Sequence, residues 1–379
     1  MSDTLTAIGL MSGTSADGID AALVTVERKP RRVTLRHYCE VPHPPARRER
    51  ILAAARGQLN TEGICRLHAE LGEAFAQAAL ALCAAADHAP ARVAVVGSHG
   101  QTVWHAPDAH PPGTLQLGDA SRIAAALGTP VVADFRSADL ALGGQGAPLA
   151  PLLHHVLFGH PFKSRAVVNI GGIANVTWLK AGTGLEDVGA LDSGPGNMVL
   201  DALAHRFSGG RQAMDQNGEW AARGRVDRPF LDELLANPYF SRPAPKSTGR
   251  EVFGAPYAER LAADASARGL EHADALATAT ALTAHTIARE VMRMGRADEV
   301  LLCGGGAGNG TLLAMIADCL PGVPVRTTDD AGVPGTALEA MAFAELACRH
   351  LWGEPGNLPR VTGARGAAVL GALTPAPMV

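Results

Sequence analysis

The chain opens on an apolar run, Ile8-Gly9-Leu10-Met11, that breaks at Ser12-Gly13-Thr14-Ser15-Ala16-Asp17-Gly18 and resumes at Ile19-Asp20 into Ala-Ala-Leu-Val-Thr-Val. Apolar, β-branched runs on both sides of a small-residue turn predict a β-hairpin. A third strand is expected over 33–39, ended by Pro42, Pro44 and Pro45. Residues 46–56 and 63–86 read as helices, the second with Leu67, Leu71, Phe75 and Ala78 along one face. Then come a strand at 93–97, a strand at 114–117, a helix at 119–127 and a strand at 131–133.

After a Gly/Pro segment around 143–148 the opening pattern returns. Residues 166–179 again read strand, small-residue turn, strand, and 188–191 gives a third strand. Helices at 256–269 and 273–294, a strand at 299–303, a helix at 311–319, a strand at 325–327 and a helix at 335–350 follow. Strands alternating with helices predict α/β layers. The repeated opening predicts two similar halves from an ancient duplication, with a ligand cleft between them. The expected domains are 1–134, which 353–379 would complete, and 135–352.

Composition narrows the classes. At 379 residues, two cores are the default. The net charge of −4 gives no electrostatic footprint for nucleic acid or an anionic membrane. No apolar run approaches the roughly 18 residues that span a bilayer, and the N-terminus has no signal-peptide pattern, so a cytoplasmic protein is expected. Six cysteines without a C-x-x-C argue against zinc sites and disulfide frameworks. The chain also lacks the P-loop, the dinucleotide fingerprint in a βα turn, and the protein-kinase and zinc-protease signatures.

Several stretches could carry chemistry. The tip from Gly13 through Thr14, Ser15, Ala16, Asp17, Gly18 and Ile19 to Asp20 has little side-chain bulk. Its amides and hydroxyls could cradle phosphate oxygens, and Asp17 and Asp20 are candidate Mg²⁺ ligands. A plain glycine-rich turn is the alternative. Asp192, expected at the end of a strand and followed by Gly194-Pro195-Gly196-Asn197, is placed to take a proton from water or a hydroxyl, or else to cap its own turn. The turn at 304–310 could rest against a base or ribose, or be an ordinary strand-to-helix turn. Residues 246–251 read as a loop reaching a ligand or as solvated surface. His99, Gln101 and His105 around Trp104 could bind sugar hydroxyls or serve structure. Glu339, on an apolar helix, reads on its own as a carboxylate favoured by the helix dipole.

Taken together, nine motifs resemble one family. They are G-T-S-x-D-G-I-D at 13–20, S-H-G-Q-T at 98–102, D-F-R at 134–136, G-Q-G-A-P-L at 144–149, N-I-G-G-I-A-N at 169–175, D-x-G-P-G-N at 192–197, G-R-E-x-F at 249–253, C-G-G-G-A-x-N at 303–309 and E-A-M-A-F-A at 339–344. Their order resembles the anhydro-N-acetylmuramic acid kinase family, within the sugar kinase, heat-shock protein 70 and actin superfamily. The resemblance implies two ribonuclease H-like (actin-like ATPase) domains flanking a nucleotide cleft. It also implies an enzyme that opens 1,6-anhydro-N-acetylmuramic acid with water and phosphorylates O6 using ATP and Mg²⁺. The product would be N-acetylmuramic acid 6-phosphate, in cell-wall recycling.

By resemblance, Asp192 is the base that activates water, and Glu339 a second carboxylate that stabilises positive charge at the anomeric carbon. ATP would meet Gly13 to Asp20, Gly171, Gly172, Asn175, Gly194, Gly196, Asn197, Gly304, Gly305, Gly306 and Asn309. Sugar would meet Ser98, His99, Gln101, Asp134, Arg136 and Gln145. The partner is then a small amino sugar, with room for a homodimer and none for nucleic acid or membrane. Two departures stand out: Gly9 lies where the superfamily often has Asp, and Ser193 where the family motif has Thr. A kinase for another amino sugar and an ATP-switched binding protein of the same fold are the competing readings.

Overall fold

The opening hairpin forms as patterned, with β1 (Thr4–Ser12) antiparallel to β2 (Gly18–Glu27), which in turn pairs with β3 (Arg32–Pro42). The computed structural model describes residues 2–244 and 246–378. Helices α1 (Pro45–Ala55) and α2 (Thr61–Ala85) lead to β4 (Val95–Ala106), β5 (Gly113–Leu117), α3 (Ala120–Leu127), β6 (Val131–Ala133), α4 (Ser137–Ala141) and α5 (Ala150–Phe158). The second pass runs β7 (Arg165–Ile170), β8 (Ile173–Leu179), β9 (Gly189–Pro195), α6 (Asn197–Phe207), α7 (Arg228–Leu235), α8 (Pro238–Ser241), α9 (Arg250–Phe253), α10 (Ala255–Ala267) and α11 (His272–Met294). It closes with β10 (Glu299–Cys303), α12 (Gly310–Cys319) and β11 (Val325–Thr327), after which come α13 (Leu338–Trp352), α14 (Pro359–Thr362) and β12 (Ala372–Thr374).

The chain divides into two units, Met1–Leu157 with Ala337–Val379, and Phe158–Thr336. In the first, the strand order is β12-β6-β4-β1-β2-β3, with β5 on β4; in the second it is β11-β10-β7-β8-β9. Each has an antiparallel three-strand meander whose first strand is followed by two parallel strands, β4 and β6 or β10 and β11. This is the ribonuclease H-like order of the actin-like ATPases, present twice. Membrane-spanning helices are absent among the described residues.

The first boundary falls after 157 rather than 134, and the returning segment begins at 337 rather than 353. Helix α13 is the reason. It lies on β1 and β4 where Gly9 and Gly97 are register partners. A Cβ on Gly9 would stand 1.7 Å from the Ala340 carbonyl oxygen, and one on Gly97 1.9 Å from that of Phe343. Two glycines side by side thus let helix backbone rest on sheet backbone, and nearly every residue of α13 is buried. The opposite face of the sheet packs Ile8, Leu10, Ile19 and Leu23 against Leu67, Leu71, Phe75 and Leu82 of α2, the face its periodicity marks. Burying each such side chain contributes about 1.5–3 kcal/mol.

The Gly/Pro segment at 143–148 is loop as expected, flanked by the short helices α4 and α5, and α7 to α9 fill the stretch before 256 that had no expected element. The aromatic residues of α7 to α9, Phe230, Tyr239, Phe240 and Phe253, form a separate buried cluster with Tyr257 of α10 and with α6 and α11. Strand β4 runs well beyond 97, through His99 and Trp104, because β5 pairs with its second half.

Candidate functional site

In the first unit, the tip between β1 and β2 is held from below by side chains. Ser12 Oγ lies 2.6 Å from Gln101 Oε1, 2.8 Å from the Gly18 carbonyl oxygen and 3.2 Å from His43 Nε2. Gln101 Nε2 donates to the Gly13 carbonyl at 3.0 Å. Burial lowers the His43 pKa to about 4, so its ring is neutral at pH 7. The tip turns through Ala16, at φ 55°, with Ala16 N–H on the Gly13 carbonyl. The Thr14 and Ser15 N–H groups have no partner among the described residues. These free amides are what an anion-binding tip needs.

The two aspartates of the tip differ. Asp17 is exposed and pairs with Arg48 at 3.1 Å. Asp20 is half-buried, accepts from the Tyr38 hydroxyl, and has its pKa raised by burial. Beside it, at the start of α13, Glu339 is also raised, by burial and by the Asp20 charge, against the pull of Arg136.

Arg136 organises the other wall of this unit. Its Nε donates to His99 Nε2 at 3.1 Å and its NH1 to the Gly146 carbonyl at 2.7 Å. His99 Nδ1 sits 2.9 Å from the Gly100 carbonyl, so Nδ1 carries the proton and Nε2 accepts. Burial and Arg136 hold His99 well below the usual histidine range. Burial also lowers Arg136, to about 10. The His99 ring packs on Phe343 of α13, with centroids 4.5 Å apart. The Gly144–Gly146 loop hangs from buried Asp139, which accepts from Gly146 N–H at 2.8 Å and from Asn357 and Thr362 at 2.7 Å each. Gln145 reaches Asp108 at 3.3 Å.

In the second unit, Asp192 does not end a strand as expected. It lies within β9, beside a register shift that leaves Ser193 as an extra residue opposite Asn175 and Ala174 of β8. A β-bulge of this kind re-aims the side chains around it. Thr248 N–H donates to Asp192 Oδ2 at 2.9 Å, Asp192 N–H donates to the Lys246 carbonyl at 3.1 Å, and the Tyr239 hydroxyl donates to the Asp192 carbonyl at 2.8 Å. Burial raises the Asp192 carboxyl to about 6, opposed by the Thr248 N–H and Lys246 and assisted by Glu251. Residues 246–251 are therefore no free surface loop.

The glycine turns of this unit converge. Gly196 and Met198 N–H donate to the Gly172 carbonyl and Asn197 N–H to that of Gly171, at 2.8–3.2 Å. These donors are engaged by the β7–β8 turn rather than left free. Gly304, at φ 78°, folds onto β7, where a Cβ would stand 2.2 Å from Asn169 Oδ1. Gly306 packs on Ile170 and Asn197. Asn309 caps α12, accepting from Leu312 N–H at 2.9 Å. Asn175 stays in β8, paired with Asn169 and Asp192.

The sequence profile of the anhydro-N-acetylmuramic acid kinase family matches residues 5–376. The chain belongs to this family. It is accordingly an anhydro-N-acetylmuramic acid kinase by family, a phosphotransferase of cell-wall recycling that acts on a sugar and draws its phosphoryl group from ATP. Among solved structures it is similar to component A of (R)-2-hydroxyglutaryl-CoA dehydratase from Acidaminococcus fermentans, at 13% identity, 90% of this chain, 97% of that one and a TM-score of 0.46. It is also similar to a ROK family glucokinase from Streptomyces griseus in complex with glucose and AMPPNP, at 14% identity, 91% and 99% coverage and a TM-score of 0.41. The family match carries the assignment; these likenesses are distant.

For this family member, the structure brings Asp20, Glu339, Arg136 and His99 together in the first unit, and Asp192 with 246–251 in the second. Gln101 is taken up in holding the hairpin tip. Asp134, at φ 56°, caps α4 through Ser137 and is exposed. Ser98 Oγ is buried and has no hydrogen-bond partner among the described residues. Groups of three or more metal-ligating side chains are absent among the described residues. Hollows of about 620, 470 and 550 Å³ lie elsewhere and are lined by none of these residues. Sequence reading missed Ser12, His43, Tyr239 and Glu290. Ser12 and His43 adjoin motifs and had a local signal. Tyr239 and Glu290 had none, since they reach their partners only through tertiary packing.

Proposed function

We propose that the chain breaks the C1–O6 bond of the 1,6-anhydro bridge as water adds at C1, and that O6 takes the γ-phosphoryl group of ATP. N-acetylmuramic acid 6-phosphate and ADP leave. Asp192 accepts the water proton. The observation that carries this is its hold: a carboxylate gripped by the Thr248 N–H, with its backbone fixed by Tyr239 and Lys246 and its pKa near 6. Such a group is ionised at neutral pH yet still basic enough to take a proton. Glu339, whose ionised form Arg136 favours, stabilises positive charge at the anomeric carbon.

The free Thr14 and Ser15 amides hold ATP phosphates, and the Gly304–Gly306 turn lies against the adenosine, with Gly171, Gly172, Asn175, Gly194, Gly196, Asn197 and Asn309 shaping that side. For Mg²⁺, Asp20 fits better than Asp17. Its charge is poorly compensated where it stands, whereas Asp17 already has Arg48. One carboxylate plus phosphate oxygens is a common way to hold this ion, which when bound would neutralise phosphate charge. Ser98, His99, Arg136 and Gln145 meet the sugar, with Gln101 and Asp134 shaping that wall. The protein works in the cytoplasm and has room to do so as a homodimer.

The test is ADP release from Mg²⁺-ATP with 1,6-anhydro-N-acetylmuramic acid, beside N-acetylmuramic acid, N-acetylglucosamine and no sugar. Release that depends on the anhydro sugar supports the reading. Equal release with a plain amino sugar would make the chain an ordinary sugar kinase, and slow release in every tube would sink the reaction altogether.

A further inference from the structure

Lys246 and Glu290 form an ion pair, 2.9 Å from Nζ to Oε1, with side chains 2% and 3% exposed. Charges are seldom withdrawn from water so completely unless something is gained by fixing them. Lys246 belongs to the strap over Asp192, and Glu290 to the C-terminal part of α11. The ammonium also lies over the Tyr239 ring, 4.9 Å from its centroid. Arg293, one turn on from Glu290, reaches the same carboxylate at 3.3 Å.

Three bonds to Asp192 depend on where this pair sits. The Lys246 carbonyl accepts the Asp192 N–H, Thr248 two residues on grips its carboxylate, and Tyr239 beneath the ammonium holds its carbonyl. We propose that the Lys246–Glu290 pair is the positioning device for Asp192: it pins the strap to α11 and so fixes the strand bulge, the carboxylate and its electrostatic surroundings at once. The proposal rests on the reading of Asp192 as the base. Lys246 and Glu290 are positioning residues, since they act through the strap.

The charged and titratable groups around Asp192 make the role testable. They are Lys246 and Glu251 on the strap side, Tyr239 on α8 with Arg242 after it, and Glu290 with Arg293 on α11. Strand β8 contributes the uncharged Asn175 opposite. Removing the Lys246 charge leaves Glu251 and Glu290 less opposed, which favours the protonated carboxyl. Removing the Glu290 charge does the reverse. Activity requires ionised Asp192, so the acid limb of the kcat/KM profile moves to higher pH in Lys246→Met and to lower pH in Glu290→Gln.

The experiment measures full pH profiles of kcat and kcat/KM for both variants in the complete chain, with melting temperatures alongside. Expected are limbs displaced in opposite directions, kcat reduced by roughly 10²-fold in Lys246→Met, the scale of a misplaced reacting group, and ATP KM within about threefold of the parent. Glu290→Gln keeps shape and a hydrogen bond, so it decides the matter if Lys246→Met fails to fold. Lower melting temperatures with unmoved limbs would mean a merely structural pair and overturn the proposal. Asp192→Asn is run beside them. If it keeps near-normal turnover, the base reading falls and takes this proposal with it; if it loses turnover while both pair variants keep the parent profile, only the positioning proposal falls.

Discussion

The two units share one sheet order but treat their opening turns in contrary ways. In the first, the tip after β1 is propped by side chains, Ser12, Gln101 and His43, and the Thr14 and Ser15 amides remain free. In the second, the two-glycine turn after β7 gives its carbonyls to the start of α6, so the nearby amides are engaged. A duplicated scaffold therefore does not imply duplicated chemistry. The first unit leaves donors free, while the second uses its donors to build itself and carries the candidate base, Asp192, on β9. The connection from third to fourth strand differs accordingly. It is α1 and α2 in one unit, and in the other the aromatic layer of α6 to α11 with the strap that holds Asp192.

The sharpest way to break this contrast is Asp192→Asn. Turnover should fall by at least roughly 10²-fold, the contribution of a general base, while ATP binding persists. Titration with a fluorescent ATP analogue separates the two, and a variant that binds and turns over normally would remove the second unit's claim to the base. Next in size is Gly97→Val, which forces a side chain into the backbone of α13. It should destabilise the first unit by about 3 kcal/mol or more, read as a drop of roughly 10 °C in Tm. The matching strand of the second unit, β10, carries no glycine, so the penalty belongs to the first unit.

The pH dependence is a smaller effect and concerns the second unit alone. Burial raises the Asp192 carboxyl from 3.8 to about 6, so it takes up a proton as pH falls through 6, and with Asp192 as the proposed base activity should fall with it. kcat/KM should drop about tenfold per unit below that point. A profile flat to pH 5 would place the working base elsewhere. Smallest is Asn309→Ala. As the cap of α12 it should cost about 1 kcal/mol of stability, and as part of the adenosine side it should raise ATP KM as well; an unchanged KM would make Asn309 a cap alone.

The architecture was legible because its signals are local. Alternating apolar runs and small-residue tips marked both hairpins, and the Leu67, Leu71, Phe75 and Ala78 face marked α2. The candidate base was legible from its motif, but its setting was not. A bulge at Ser193 depends on the register of β8, and the strap's grip on Asp192 depends on where α11 puts Glu290. Gly9 illustrates the same limit. Its want of a side chain read as a departure from the superfamily pattern, and the cause lies over three hundred residues away in the backbone at Ala340.

That distance matters while the protein is being made. The glycine-floored face of the first sheet waits for α13, which leaves the ribosome only after the whole second unit has been translated. Until then the nascent first unit displays an uncovered apolar sheet, and the second unit is free to finish folding before the first. A late helix is thus the one that roofs the first domain begun, and a ribosome stalled anywhere before residue 352 leaves a chain whose opening hairpin is synthesised but whose sheet lacks both its roof and its edge strand β12.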